Sequence, residues 1–135
     1  MHIDVIGRDA PLNWIPREKV VYHGKVRDSY PFLRNADLVI INGGFSAVSE
    51  AFCMRLPMVV IPVPKHAEQW VNGKTIEHLG VGMMAEESSI ESALFQALDR
   101  LELFQSGYRN LEGIEDGAAM AAKEIASIGK MVTRS

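Results

Sequence analysis

INGGFSAVSE, residues 41–50, leaves the apolar run 38–41 and leads into Ala51, Phe52, Cys53 and Met54. A β-branched run, then Asn-Gly-Gly, then a segment of helical period reads as a strand that turns directly into a helix. Parallel sheets are assembled from that unit. Glycine at such a turn permits a left-handed backbone and keeps side chains away from the first unpaired amides of the helix. Those amides and the helix dipole favour an anion, commonly a phosphate. Ser46 adds a hydroxyl at the same end, and Glu50, four residues on, shares its face one turn below. A carboxylate there is placed to accept hydrogen bonds from sugar hydroxyls. The plainer alternative is a tight turn with Ser46 as cap and Glu50 solvated; the turn alone does not choose between them.

Outward from this turn, short apolar runs alternate with helix-period segments. The runs 3–6, 20–22, 38–41 and 58–61 are bounded by Gly, Pro, Asn or Asp, as buried strands are, and 81–84 is a weaker fifth. Helical patterns lie at 29–36, 45–54 and 68–79, with Gly80 suited to the C-cap of the last. Beyond Glu86 the chain is mostly helical. Ser88, Ser89 and Glu91 can start a helix with Ile90, Leu94, Leu98 and Leu101 on its apolar face, and another helix is expected from 117 to 128. No internal repeat interrupts this order. The expectation is one α/β domain over residues 1–135, an open Rossmann-like parallel sheet with helices on both faces.

The bulk composition fits. A chain of 135 residues can bury roughly two-thirds of the surface it exposes unfolded. With 47% hydrophobic and 23% charged residues, neither disorder nor a fibrous repeat is indicated. A net charge of −3 argues against a nucleic-acid partner. Cys53 stands alone, which excludes an internal disulfide, and His2, His23, His66 and His78 lack metal-ligand spacing. No metal and no cofactor are therefore expected. The sequence holds neither an apolar run of membrane-spanning length nor a signal-peptide pattern, so a cytoplasmic protein is expected.

Ligands of open α/β sheets bind outside the carboxyl ends of the strands. The turn after the 58–61 run, PVPKHAEQW (62–70), is therefore the second place to look. Two prolines stiffen it, and Lys65, His66, Glu68 and Gln69 follow at the entrance to the next helix. Lys and His can donate to phosphate or sugar oxygens, while Glu and Gln can engage neighbouring hydroxyls as acceptor and donor. A hydrophilic loop with a charged first helical turn has the same composition. Asn72, one turn on, either meets a ligand or caps nothing.

Residues 41–83 taken together, INGGFSAVSEAFCMRLPMVVIPVPKHAEQWVNGKTIEHLGVGM, carry an ordered pattern. It comprises Gly-Gly, Ser-Glu-Ala, a proline before the next strand, a loop ending in Glu-Gln, Asn three residues later, and Leu-Gly-Val-Gly. It resembles the donor-binding, C-terminal half of the two-domain GT-B glycosyltransferases. The branch is that of the lipid II N-acetylglucosaminyltransferase and the small Alg13-type subunits, glycosyltransferase family 28. The resemblance is clear from about residue 20 to 84 and looser beyond.

It implies that Asn42, Gly43, Gly44, Phe45 and Ser46 hold the diphosphate of a nucleotide-sugar and that Glu50 binds its ribose. It also implies that Glu68 and Gln69 reach the sugar, with His66 and Asn72 beside them as further sugar-binding candidates. The stretch 24–40, GKVRDSYPFLRNADLVI, is similar to the segment whose backbone reads a uracil edge, at Val26. The donor is then a UDP-sugar, a UDP-N-acetylhexosamine or UDP-hexose. Transfer would need an acceptor-binding N-terminal half or a protein partner, peripheral to a membrane through that partner. A nucleotide-sugar hydrolase or epimerase of the same fold, and a non-catalytic subunit, are the alternatives. No catalytic residue is identified; His23 and His66 are the only histidines near strand ends.

Two departures from the family pattern stand out. Asn42 occupies a position where many relatives carry His, which removes a charge from the diphosphate side. The family's opening strand, glycine-rich turn and helix have no counterpart before residue 3. In the order 3-2-1-4-5-6 the missing strand is the central one. Either the 3–6 strand pairs newly with the 38–41 strand, or an open slot takes a strand from another chain, including by self-association through the sheet.

Overall fold

The computed structural model describes residues 1–113 except 8, 11, 14 and 16–18, with backbone only at 112 and 113. The chain divides into two compact units, 1–35 and 36 onward. The helix expected at 117–128 lies outside the described residues.

In the first unit, β1 (Ile3–Ile6) and β2 (Val20–Gly24) form a parallel pair. Ile3 faces Val20 and Val5 faces Tyr22. An irregularity between Val5 and Ile6 then shifts the register so that Ile6 meets Gly24. The short helix α1 (Tyr30–Arg34) follows, with Pro31 in its first turn, where a missing N–H costs nothing.

The second unit is built around a three-stranded parallel ladder, β3 (Val39–Ile41), β4 (Met58–Val60) and β5 (Gly82–Met84), with β4 in the middle. Val39 faces Met58 and Ile41 faces Val60; on the other side Met58 faces Gly82 and Val60 faces Met84. Helix α2 (Phe45–Cys53) crosses from β3 to β4 and α3 (Ala67–Leu79) from β4 to β5. A 3₁₀ turn, Glu87–Ser89, then leads into α4 (Ile90–Asp99) and α5 (Leu101–Gly113). Gly80 ends α3 with φ of 75°, the left-handed conformation that glycine adopts without penalty.

Burial follows from the alternation of side chains along a strand. On β4, Val59 packs with Ile61, Ala93, Ala97 and Phe104, so α4 and α5 cover one face. Met58 and Val60, of opposite parity, turn to the face of α2 and α3. All three β4 residues are fully buried, as a continuous apolar strand covered on both faces must be. Tyr108 of α5 donates from its hydroxyl to the Leu56 carbonyl at 2.7 Å and packs against Phe52, tying α5 to the α2–β4 connection.

Two expectations are corrected. Of the two alternatives for the 3–6 strand, pairing with the 38–41 strand is the one overturned: Ile3, Val5 and Ile6 take β2 as partner, and β3 pairs with β4. On α4 the deepest positions are not the expected leucines but the alanines beside them. Ala93 and Ala97 are its buried residues, while Ile90 is 44% exposed. Leu94, Leu98 and Leu101 lie half-buried beside that pair, and Ile90, three residues before Ala93, stands on the same side at the first residue of the helix.

Candidate functional site

A parallel ladder places the carboxyl ends of β3 and β4 at one edge, and both succeeding helices begin there. Ile61 N–H donates to the Ile41 carbonyl at 2.8 Å, so the two strands are still paired where they give way to turns. Asn42, exposed, spans the same gap with its amide nitrogen 3.5 Å from the Ile61 carbonyl.

The turn after β3 is shaped by Gly43. Its φ is 97°, and a Cβ there would stand 2.8 Å from the Gln69 carbonyl oxygen and 2.8 Å from Val60 Cγ1. No other residue fits both the dihedral and the space. Gly44, the N-cap of α2, has φ of −59° and nothing within 4 Å of a notional Cβ. Val48 N–H to the Gly44 carbonyl, at 3.0 Å, opens the helical ladder, so the amides of Phe45, Ser46 and Ala47 precede it. Among the described residues no side chain caps this end. Ser46 is exposed at the opening and is not the cap that the plainer reading expected. Glu50 lies half-buried one turn below.

The turn after β4 is braced from α3. Gln69 accepts the Val63 N–H on its Oε1 at 2.8 Å, which pins the Pro62–Pro64 segment to the helix start. Lys65 holds φ of 64°, a left-handed conformation that costs a non-glycine residue on the order of 1 kcal/mol. His66 is the backbone N-cap of α3, with its side chain exposed and making no capping bond. Glu68 sits in the first turn, where its charge complements the helix dipole.

Asn72 is where the structure adds most. It is 1% exposed, and its Nδ2 donates to the Gly43 carbonyl at 2.8 Å. Its Oδ1 is buried and has no hydrogen-bond partner among the described residues. The sequence marks Asn72 only as one turn beyond Glu-Gln; nothing in the spacing says that it reaches the β3 turn 29 positions earlier.

In the first unit, Val26 is half-buried in the segment after β2. His23, at the end of β2, places Nε2 2.7 Å from Asp4 Oδ1, and His2 approaches the same oxygen at 3.0 Å. The His23 ring also packs on Phe32 at a centroid distance of 4.6 Å. The hydrogen bond from His23 holds the Asp4 carboxyl below its ordinary range, with burial opposing and His2 assisting. The structure thus brings together Asn42, Gly43, Gly44, Phe45 and Ser46 with Gln69 and Asn72. His23 and Asp4 form a cluster of their own. Among the described residues no helix is long and apolar enough to cross a membrane, and no group of three His, Cys, Asp or Glu could hold a metal ion.

Comparison with known proteins gives a consistent result. Residues 22–127 match the model of the glycosyltransferase family 28 C-terminal domain. An uncharacterized glycosyltransferase of Methanosarcina acetivorans is 32% identical over 85 residues, 63% of this chain and 22% of that protein. The UDP-N-acetylglucosamine–N-acetylmuramyl-(pentapeptide) pyrophosphoryl-undecaprenol N-acetylglucosamine transferase of Shouchella clausii is 30% identical over 107 residues, 76% of this chain and 29% of the enzyme. The chain therefore spans under a third of the length of these relatives. Among solved structures, the glycotransferase of kitacinnamycin superimposes with a TM-score of 0.69 at 20% identity, over 95% of this chain and 32% of that one. Acinetobacter baumannii MurG does so at 0.60 and 17%, over 93% and 42%. These likenesses establish the fold, that of the C-terminal domain of GT-B glycosyltransferases.

Proposed function

This chain belongs to the glycosyltransferase family 28 C-terminal domain family, and we propose that it is the donor-binding half of a glycosyltransferase that takes a UDP-sugar. The observation that carries the reading is the β3–α2 turn. There Gly43 and Gly44 clear the space before an uncapped helix start, and three amides precede the helical ladder. Such an end binds a diphosphate through backbone donors and the helix dipole. As the sugar departs, the same donors stabilise the charge that grows on the leaving diphosphate.

Glu50 then accepts from the ribose hydroxyls, one turn into α2. Across the edge, His66, Glu68 and Gln69 face the sugar, with the Gln69 Oε1 already committed to Val63 and its Nε2 left as the donor end. The acceptor and its general base belong to another half or partner, so this chain alone binds donor without appreciable transfer.

Calorimetric titration with UDP, UDP-N-acetylglucosamine and UDP-glucose tests the reading. Binding of UDP is expected, with Glu50→Ala weakening it about tenfold or more through the lost charged hydrogen bonds. A folded wild type that binds none of the three overturns the donor-site reading. Undiminished binding by Glu50→Ala removes the ribose assignment. Release of free sugar or an epimer from the UDP-sugar by this chain alone would replace transfer with hydrolysis or epimerisation.

A further inference from the structure

We propose that Asn72 is a positioning residue for the diphosphate turn, acting through the Gly43 carbonyl rather than by touching the sugar; this rests on the donor-site reading above. The peptide joining Gly43 to Gly44 is planar and trans, so the Gly43 C=O and the Gly44 N–H point in opposite directions. The Asn72 Nδ2, 2.8 Å from that carbonyl, pulls the oxygen inward toward α3. The Gly44 N–H is thereby turned the other way, ahead of the α2 start, beside the amides of Phe45 and Ser46. A side chain that is 1% exposed thus sets the direction of a backbone donor that a ligand meets.

The buried Oδ1 separates this role from packing. A buried amide oxygen without a partner is destabilising, and an apolar residue of similar size would avoid it. Asn72 carries that penalty at a position in the second turn of α3, where only its donor is used. Its Nδ2 donates to the peptide that decides the turn. The α3 backbone contributes as well, since the Gln69 carbonyl occupies the space that a Gly43 side chain would need. Helix α3 therefore holds the diphosphate turn through Asn72 and the sugar-side loop through Gln69, and links the two.

The test uses wild type, Asn72→Asp and Asn72→Ser, each checked by thermal melting. UDP affinity is measured by calorimetry, uridine affinity by NMR titration, and amide resonances are recorded without ligand. Asn72→Asp replaces the donor by an acceptor opposite Gly43 O. It is expected to move the Gly43, Gly44 and Ser46 resonances and to weaken UDP at least about tenfold, while uridine, which lacks the diphosphate, stays within about twofold. Asn72→Ser keeps a donor and recovers part of the loss; it also serves as the comparison if Asn72→Asp does not fold. UDP affinity unchanged in both variants, or uridine and UDP weakened alike, overturns the proposal. If wild type binds no UDP, the donor-site reading falls by itself. The amide resonances then decide: their movement in Asn72→Asp supports control of the turn, and their constancy overturns it.

Discussion

The Val63 N–H and the Gln69 Oε1 are joined at 2.8 Å, so the acceptor end of the Gln69 amide is spent on the loop after β4 and its donor end is not part of that bond. Gln69→Glu keeps the acceptor for Val63 and removes the amide donor. Melting temperature is expected to stay close to wild type, while affinity for a UDP-sugar falls about fivefold and affinity for UDP does not. Calorimetry with the two ligands side by side checks this. Equal loss for both would mean that the residue braces the loop and nothing more.

Gly43 and Gly44 are adjacent yet should respond in opposite ways to alanine. At Gly43 the dihedral of 97° and two contacts at 2.8 Å act together, and Gly43→Ala is expected to cost about 2–4 kcal/mol in chemical denaturation. At Gly44 neither obstacle exists, so Gly44→Ala should fold with stability within about 0.5 kcal/mol of wild type. Its methyl group stands before the α2 amides, and UDP affinity should drop. A Gly44→Ala variant that binds UDP as well as wild type would place the anion elsewhere.

Tyr108 ties α5 to the core through the Leu56 carbonyl at 2.7 Å. Tyr108→Phe leaves that acceptor without its donor and is expected to cost about 1–2 kcal/mol. Burial, followed by the nearby Cys53, raises the phenol above its ordinary value of 10.0. The sign follows directly. Tyrosine in the unfolded chain ionises near pH 10, whereas the folded phenol stays neutral, so the contribution is complete below pH 10 and is lost as pH rises beyond it. Denaturation curves from pH 8 to 11 should show a steeper alkaline decline for wild type than for Tyr108→Phe; parallel curves would contradict it.

Asp4 titrates in the other direction. Its folded carboxyl is depressed, chiefly by the His23 hydrogen bond, from an ordinary 3.8. The stability this confers is present above about pH 4 and is lost as pH falls through the lowered folded value. His23→Ala should return Asp4 toward 3.8, followed by carboxyl carbon NMR. An Asp4 that stays depressed in that variant would make His2 the dominant partner.

The strand-turn-helix units were legible because they are local. A β-branched run bounded by glycine or proline, with a helical period after it, constrains only neighbouring residues, and the five strands lie within a few positions of those runs. The glycine turn and the Glu-Gln loop were legible for the same reason, since backbone geometry and residue chemistry at a strand end need no distant partner. The deepest α4 positions, Ala93 and Ala97, were not, because alanine carries little apolar signal of its own; their packing with Val59 is a long-range contact.

The sequence by itself determined the parallel α/β class, the two turns at the strand ends and the family pattern that joins them. Only the tertiary structure decided which strands pair and what the polar side chains of α3 do. The Ile3 strand takes β2 and leaves β3 to β4, a choice among hydrogen-bonding edges that composition does not encode. Gln69 turns to Val63 and Asn72 to Gly43, because the crossover from β4 carries α3 back over the β3 turn. Contacts of that range follow from the path of the chain through space, and no residue spacing announces them.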